Sequence, residues 1–288
     1  MFLKKSPIKK LAIMFIFSGL IHACGKQKDQ NISLVQSLGD PISYPKGWGN
    51  GQLHIQLSQK VFQESEEMNR EYGLSDIVPQ IQAAMDTWNA AIGRVILVLD
   101  NTVSQTDTNL LQGCREFSLR EYFPLCDSSS NTIFYEEQDP QYPETSGWWM
   151  NTNQSSLTLA STIFRANAEG YLVNTDLHLN RDNYVFGDSL LDNNSLFNQD
   201  HALKAASQFN DHGKIKKFED LRSVILHELG HSLGLGHDNC NKNSIMYPAF
   251  EQIGFGQTKR TLSRDDINRI RSIYDGEKLT SSCTQKYP

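Results

Sequence analysis

The segment Gln52-Leu53-His54-Ile55-Gln56-Leu57-Ser58 alternates strictly between apolar and polar residues. Successive side chains of a strand point to opposite faces, so this pattern predicts a half-buried strand with His54 on its polar, surface side. A helix follows, capped by Ser75 or Asp76, with Pro79 in its first turn and Ile77, Ile81, Ala84, Met85, Trp88 and Ile92 along its length. Val95 to Leu99 is continuously apolar, as expected of a strand buried on both faces. Strand, helix and strand in that order make a right-handed βαβ unit by default. Further strands are predicted at Thr132–Tyr135, Leu157–Phe164 and Thr175–Asn180, the last two joined across Gly170. A helix from about Phe218 to Gly234 offers Leu221, Val224, Ile225 and Leu229 to the core. A final helix occupies Thr261–Tyr274, with Ser263 and Asp266 as an acidic capping box and Ile267, Ile270 and Tyr274 on one face. The succession is that of an α+β fold.

Between these elements the pattern is weaker. Asp100 to Asn131 is polar and carries two cysteines, and Tyr142 to Asn153 reads as a loop whose Trp148 and Trp149 pack over the sheet. Arg181 to Gly213 is polar and rich in Asp and Asn, and residues 187–215 read as an inserted loop. Such a loop is a place for Ca2+, but it lacks the ordered ligand spacing of an EF-hand, so a solvated loop is expected. His201 and His212 within it are given no role.

Lys4, Lys5, Lys9 and Lys10 precede an apolar run from Leu11 to Ile21 that is too short to span a bilayer. Residues 1–23 are therefore expected to be a signal peptide. The run ends Leu20-Ile21-His22-Ala23-Cys24-Gly25, which resembles a bacterial lipobox. On that reading Cys24 is lipidated and residues 24–47 are a tether, giving an exported lipoprotein anchored to the membrane, periplasmic or at the cell surface. The alternative is an ordinary signal peptide with Cys24 as a stray thiol. Export makes disulfides of Cys114, Cys126, Cys240 and Cys283 reasonable. Three pairings are open. Cys114–Cys126 would close a local loop, and Cys240–Cys283 would tie the chain after the second helix of the pattern to the C-terminal tail.

The chain has 288 residues, 39% of them hydrophobic, and shows no internal repeat, so residues 48–288 are read as one globular domain. A net charge of −6 without a basic stripe beyond the N-terminus argues against a nucleic-acid partner.

One stretch carries chemistry: His227-Glu228-Leu229-Gly230-His231-Ser232-Leu233-Gly234-Leu235-Gly236-His237. Residues four apart lie on one face of a helix, roughly 6 Å apart along its axis, so His227 and His231 can offer two imidazoles to one ion. Gly234 lets the helix stop and the chain turn, bringing His237 back as a third. Three imidazoles with one open position are what catalytic zinc needs. Glu228 lies beside the open side without being a ligand.

His-Glu-x-x-His-x-x-Gly-x-x-His, followed by Ser244-Ile245-Met246-Tyr247-Pro248, resembles the metzincin zinc metalloproteases, and among them most the matrixins. The resemblance covers roughly Trp48 to Tyr274 and is strongest from Asp220 onward. It implies a twisted, mixed five-stranded sheet with three main helices and one catalytic Zn2+ on His227, His231 and His237. It also implies Glu228 as the general base for attack of a zinc-activated water on a peptide bond, and Met246 as a hydrophobic floor below the ligands. Pro248, Ala249 and Phe250 would line the pocket for the residue after the scissile bond. Leu159 and Ala160 belong to the edge strand along which an extended peptide substrate would add. Animal matrixins hold a second zinc through histidines in these strands; here His178 holds one such position but Ser161 stands at another, so a second zinc is not expected. The final helix of a matrixin packs near the chain leaving the third ligand, consistent with a Cys240–Cys283 bridge. The expected protein is a monomeric zinc endopeptidase acting on extracytoplasmic proteins or peptides. The alternative is a surface lipoprotein that keeps the metal fold as a non-catalytic binding or adhesion module.

Overall fold

In the computed structural model, residues 22–25, 42–49, 51–72, 74–104, 130–137, 158–190, 217–248 and 258–279 are described. The alternating segment forms β2 (Leu53–Ser58), with Leu53, Ile55 and Leu57 fully buried and His54 outside, paired with Asp100. β2 lies parallel to β3 (Leu97–Ser104) on one side and to β4 (Asn131–Glu136) on the other. β4 is parallel to β6 (Leu172–Asn180), and β5 (Thr158–Ala166) runs antiparallel along β6. These five strands, in the order β5-β6-β4-β2-β3, are the mixed sheet expected of the fold.

The outer side of β5 is also paired. β1 (His22–Gly25) runs antiparallel along it, placing His22 opposite Thr162 and Cys24 opposite Ala160. The edge expected to be open thus carries a strand from the N-terminal segment, satisfying backbone groups that an edge strand otherwise leaves unpaired. A parallel ribbon of β7 (Tyr184–Gly187) and β8 (Lys217–Asp220) brackets the segment read as an inserted loop, most of which lies outside the described residues.

Among the described residues four helices are present, where three main helices were expected. α1 (Gln59–Tyr72) is the additional one, and it follows β2 directly. Its sequence is dominated by charged and amide side chains, and among the described side chains Val61 and Ser65 are buried with Phe62 packed against the core, a sparse pattern in a polar stretch. α2 (Val78–Ile92) buries Ile81, Ala84, Met85, Trp88 and Ile92 as the periodicity requires. α3 (Leu221–Ser232) packs against α2 and against β5 and β6 of the sheet, and α4 (Arg264–Tyr274) packs against α2. α3 begins three residues later than expected: Phe218 belongs to β8, and Asp220 caps the helix by accepting from the Ser223 amide at 3.1 Å. α4 begins at Arg264 because the predicted Ser263–Asp266 box is formed in both directions.

Two other expectations need correction. Val95–Leu99 is not doubly buried: β3 is the far edge of the sheet, and Val95 is 57% exposed. Residues 42–47, expected in the tether, instead lie against the domain. The Tyr44 amide donates to Gly234 O at 3.0 Å, Ile42 bridges Leu235, and Leu172 donates to Gly47 O at 2.7 Å. Among the described residues no helix is long and apolar enough to cross a membrane.

Candidate metal centre

α3 is buried at every position but Arg222, so what it presents is fixed by its neighbours. Trp88 of α2 donates its indole N–H to Leu226 O at 2.8 Å, and the Trp48 indole donates to Ser232 O at 2.6 Å. Gly230 is where the helix comes closest to the floor below it. A Cβ there would collide with Met246 Sδ and reach within 3.1 Å of Trp88 Cζ2. Met246 is itself fully buried. Gly234 ends the helical run at φ +104°, where a Cβ would stand 2.7 Å from Tyr44 O.

With the helix stopped there, His237 returns to His227 and His231. The Nε2 atoms of His227 and His231 are 3.1 Å apart, and those of His231 and His237 are 3.2 Å apart. Two nitrogens each ~2.0–2.1 Å from one zinc ion at a tetrahedral angle stand ~3.3–3.4 Å apart, so the spacing fits three ligands of one ion. The opposite ring atoms fix the tautomers. His227 Nδ1 lies 2.6 Å from Ile245 O, and His231 Nδ1 lies 2.8 Å from Leu235 O. A carbonyl can only accept, so each Nδ1 carries the proton and each Nε2 turns a lone pair to the centre. No other group of three or more ligating side chains converges in this way among the described residues. The donor set suits Zn2+.

Glu228 is fully buried next to His227, and its Oε2 accepts from the Thr162 hydroxyl of β5 at 2.6 Å. The carbonyls that orient the histidines are themselves held. Asp266 of α4 accepts from Ile245 N, Ser244 Oγ and Ser263 N, and pairs with the buried Arg269 at 2.7 Å. Arg269 also donates to Gly236 O, and the Asp238 amide donates to Met246 O at 2.8 Å. The third-ligand loop and the Met246 turn are thereby tied to one another and to α4.

A second network holds the start of α3. Arg260 is paired with both Asp220 and Asp188, while Ser223 and Ser189 donate to Asp220. Burial opposes ionisation of Asp220, but hydrogen bonds from Arg260, Ser223 and Ser189 and the Arg260 charge outweigh it, leaving its carboxyl below the usual range.

Placement of the remaining residues is mixed. Leu159 and Ala160 are fully buried, so what β5 offers outward there is backbone, and Ala160 faces Cys24 of β1. Pro248 follows the Met246 turn and is partly exposed, whereas Ala249 and Phe250 lie outside the described residues. Ser161 and His178 are cross-strand partners, and His178 Nδ1 meets Glu136 Oε1 at 2.6 Å. Cys240 is disulfide-bonded, with its partner outside the described residues, as are Cys114, Cys126 and Cys283. Thr162, Arg260 and the Trp88–Gly230–Met246 stack were not anticipated. A glycine inside a strongly helical run could have signalled the last of these, since it marks close approach; the other two leave no trace in spacing.

The matrixin family model matches residues 144–275. Over that segment the chain is matrixin-like. Its matrixin segment is 49% identical over 61 residues to stromelysin-2 of Rattus norvegicus, covering 21% of this chain and 12% of that protein. It is 47% identical over 57 residues to metalloendoproteinase 5-MMP of Arabidopsis thaliana, covering 20% and 15%. It is 50% identical over 60 residues to human matrix metalloproteinase-26, covering 20% and 21%. The matrixin likeness to these relatives thus spans about a fifth or less of their length.

Proposed function

We propose that the protein is a zinc-dependent endopeptidase that hydrolyses peptide bonds of extracytoplasmic proteins. The observation that carries this reading is the convergence of three histidine Nε2 atoms, two of them with tautomers fixed by backbone carbonyls, together with a buried carboxylate on the helix that carries His227 and His231. His227, His231 and His237 would hold the ion. When bound, zinc supplies Lewis-acid chemistry, lowering the pKa of water from ~16 towards ~7 and polarising a carbonyl. Glu228 takes the proton from the attacking water at its carboxylate and passes it to the nitrogen of the leaving amine. Met246 fills the space under the histidines, and Asp266 and Arg269 keep the carbonyl-bearing loops in register.

An extended peptide adds antiparallel to β5 in the place that His22–Gly25 take, with backbone groups of residues 159–161 holding it. Pro248, Ala249 and Phe250 border the pocket for the residue after the scissile bond. Signal-peptide cleavage before Cys24 removes His22 and Ala23 from β1 and so frees half of that edge; Cys24 then carries the lipid that anchors the chain. The cysteines pair as Cys114–Cys126 and Cys240–Cys283. A non-catalytic adhesion module would not need the buried Glu228, and no contact at the site favours it. The reading is tested by incubating the full chain with an unbiased peptide library. Cleavage by wild type that Glu228→Ala lowers by about two to four orders of magnitude, with zinc content kept, supports it. Absence of cleavage by zinc-loaded wild type refutes it.

A further inference from the structure

Thr162 stands on the sheet face over α3 and is fully buried. Its Oγ1 lies 2.6 Å from Glu228 Oε2 and 3.2 Å from Glu228 O. A hydroxyl has one proton to give. The Glu228 carbonyl is also reached by the Ser232 hydroxyl at 3.2 Å, whose own oxygen lies 3.1 Å from Thr175 Oγ1. The carboxylate is the stronger acceptor, and 2.6 Å falls in the short range of charge-assisted O–H···O⁻ bonds. The proton therefore goes to Oε2. The donor is rigid: Thr162 is β-branched, which restricts χ1, and its strand is paired on both sides. The acceptor is the flexible partner, because a glutamate has three side-chain torsions and its last one is broad.

We propose that Thr162 is a positioning residue for Glu228, its hydroxyl anchoring one carboxylate oxygen and so fixing the rotation of the carboxylate towards the reacting water. The inference rests on Glu228 acting as the general base. It gives β5 a double role, in which the backbone edge faces the peptide while the side chain of Thr162 aims the base from behind. Thr162 touches neither substrate nor metal, so its effect is on the chemical step and not on binding.

The test compares Thr162→Val, which keeps the shape and loses the hydroxyl, with Thr162→Ser, which keeps the hydroxyl. On a cleaved peptide, zinc-loaded full-chain T162V is expected to lose about tenfold or more in kcat, the scale of one hydrogen bond to a charged group, with KM within about twofold. T162S is expected to recover most of that loss. A second readout needs neither metal nor activity. In chelator-treated protein, the urea midpoint shifts of T162V and Glu228→Ala should add to more than the shift of the double variant, because both remove the same contact. Should T162V not fold, Thr162→Ala carries the same comparisons. Unchanged kcat in T162V, failure of T162S to recover, or additive midpoint shifts overturns the proposal. A wild type that cleaves nothing sinks the general-base reading instead, while the metal-free midpoints still decide whether Thr162 holds the carboxylate.

Discussion

Replacing Gly230 with alanine sets two effects of known size against each other. In a helix interior, alanine is favoured over glycine by about 0.8–1 kcal/mol, so propensity alone predicts stabilisation. The structure predicts the reverse. The new Cβ would overlap Met246 Sδ and stand 3.1 Å from both Met246 Cε and Trp88 Cζ2. Met246 is fully enclosed, and Trp88 is pinned by its indole hydrogen bond to Leu226 O, so neither can yield without moving the helix or the turn. Overpacking a dense core costs about 1–3 kcal/mol, and an overlap of this depth belongs at the upper end. Subtracting the propensity gain leaves about 2 kcal/mol of destabilisation, or a fall in Tm of about 4–8 °C for a domain of this size. Because the displaced turn carries Ile245 O, the acceptor that orients His227, zinc affinity should fall as well. Thermal unfolding of the chelator-treated protein, followed by zinc titration, measures both. A G230A variant as stable as wild type, or more so, would refute the packing argument.

Arg260→Ala removes the cation from two buried carboxylates, Asp188 and Asp220, and should cost about 3–5 kcal/mol in urea unfolding; a cost under about 1 kcal/mol would mean that the cluster is not the clamp it resembles. The pH dependence has a definite sign. The Asp220 carboxyl is held below its usual value in the folded state, so the stability it contributes is fully present above the unfolded value of about 3.9 and is lost as pH falls through the folded one. The metal-free wild type should therefore lose stability below about pH 4 more steeply than Asp220→Asn, and parallel profiles would contradict the assignment. His231→Ala removes the ligand whose Nε2 neighbours both others, and metal analysis should show its zinc content falling from one equivalent to near zero.

What could be read from the chain follows from how local each determinant is. The i, i+4 histidines, the helix-ending Gly234 and the Ser263–Asp266 box are consequences of helix geometry within a few residues, and the structure has all of them. The five core strands were legible because alternation or an apolar run marks them, but whether a run such as Val95–Leu99 is central or at an edge depends on partners far away in sequence. α1 was hidden because its few apolar residues, Val61 and Phe62 among them, are scattered through a run of charged and amide side chains. The pairing of His22–Gly25 with β5 was hidden for a different reason: strand addition uses backbone groups, which every sequence has. Thr162 acts on Glu228, 66 residues along the chain, and Arg260 on Asp220 and Asp188, 40 and 72 residues away, and no spacing rule announces those.

The central claim, that one zinc on His227, His231 and His237 is required for peptide hydrolysis, is tested most directly by adding zinc back to chelator-treated full-chain protein. Bound metal and peptide cleavage are followed together. The account predicts that cleavage is absent without metal, rises in proportion to bound zinc and saturates at one equivalent per chain. Cleavage that persists without metal, or full zinc occupancy with no cleavage, would contradict it.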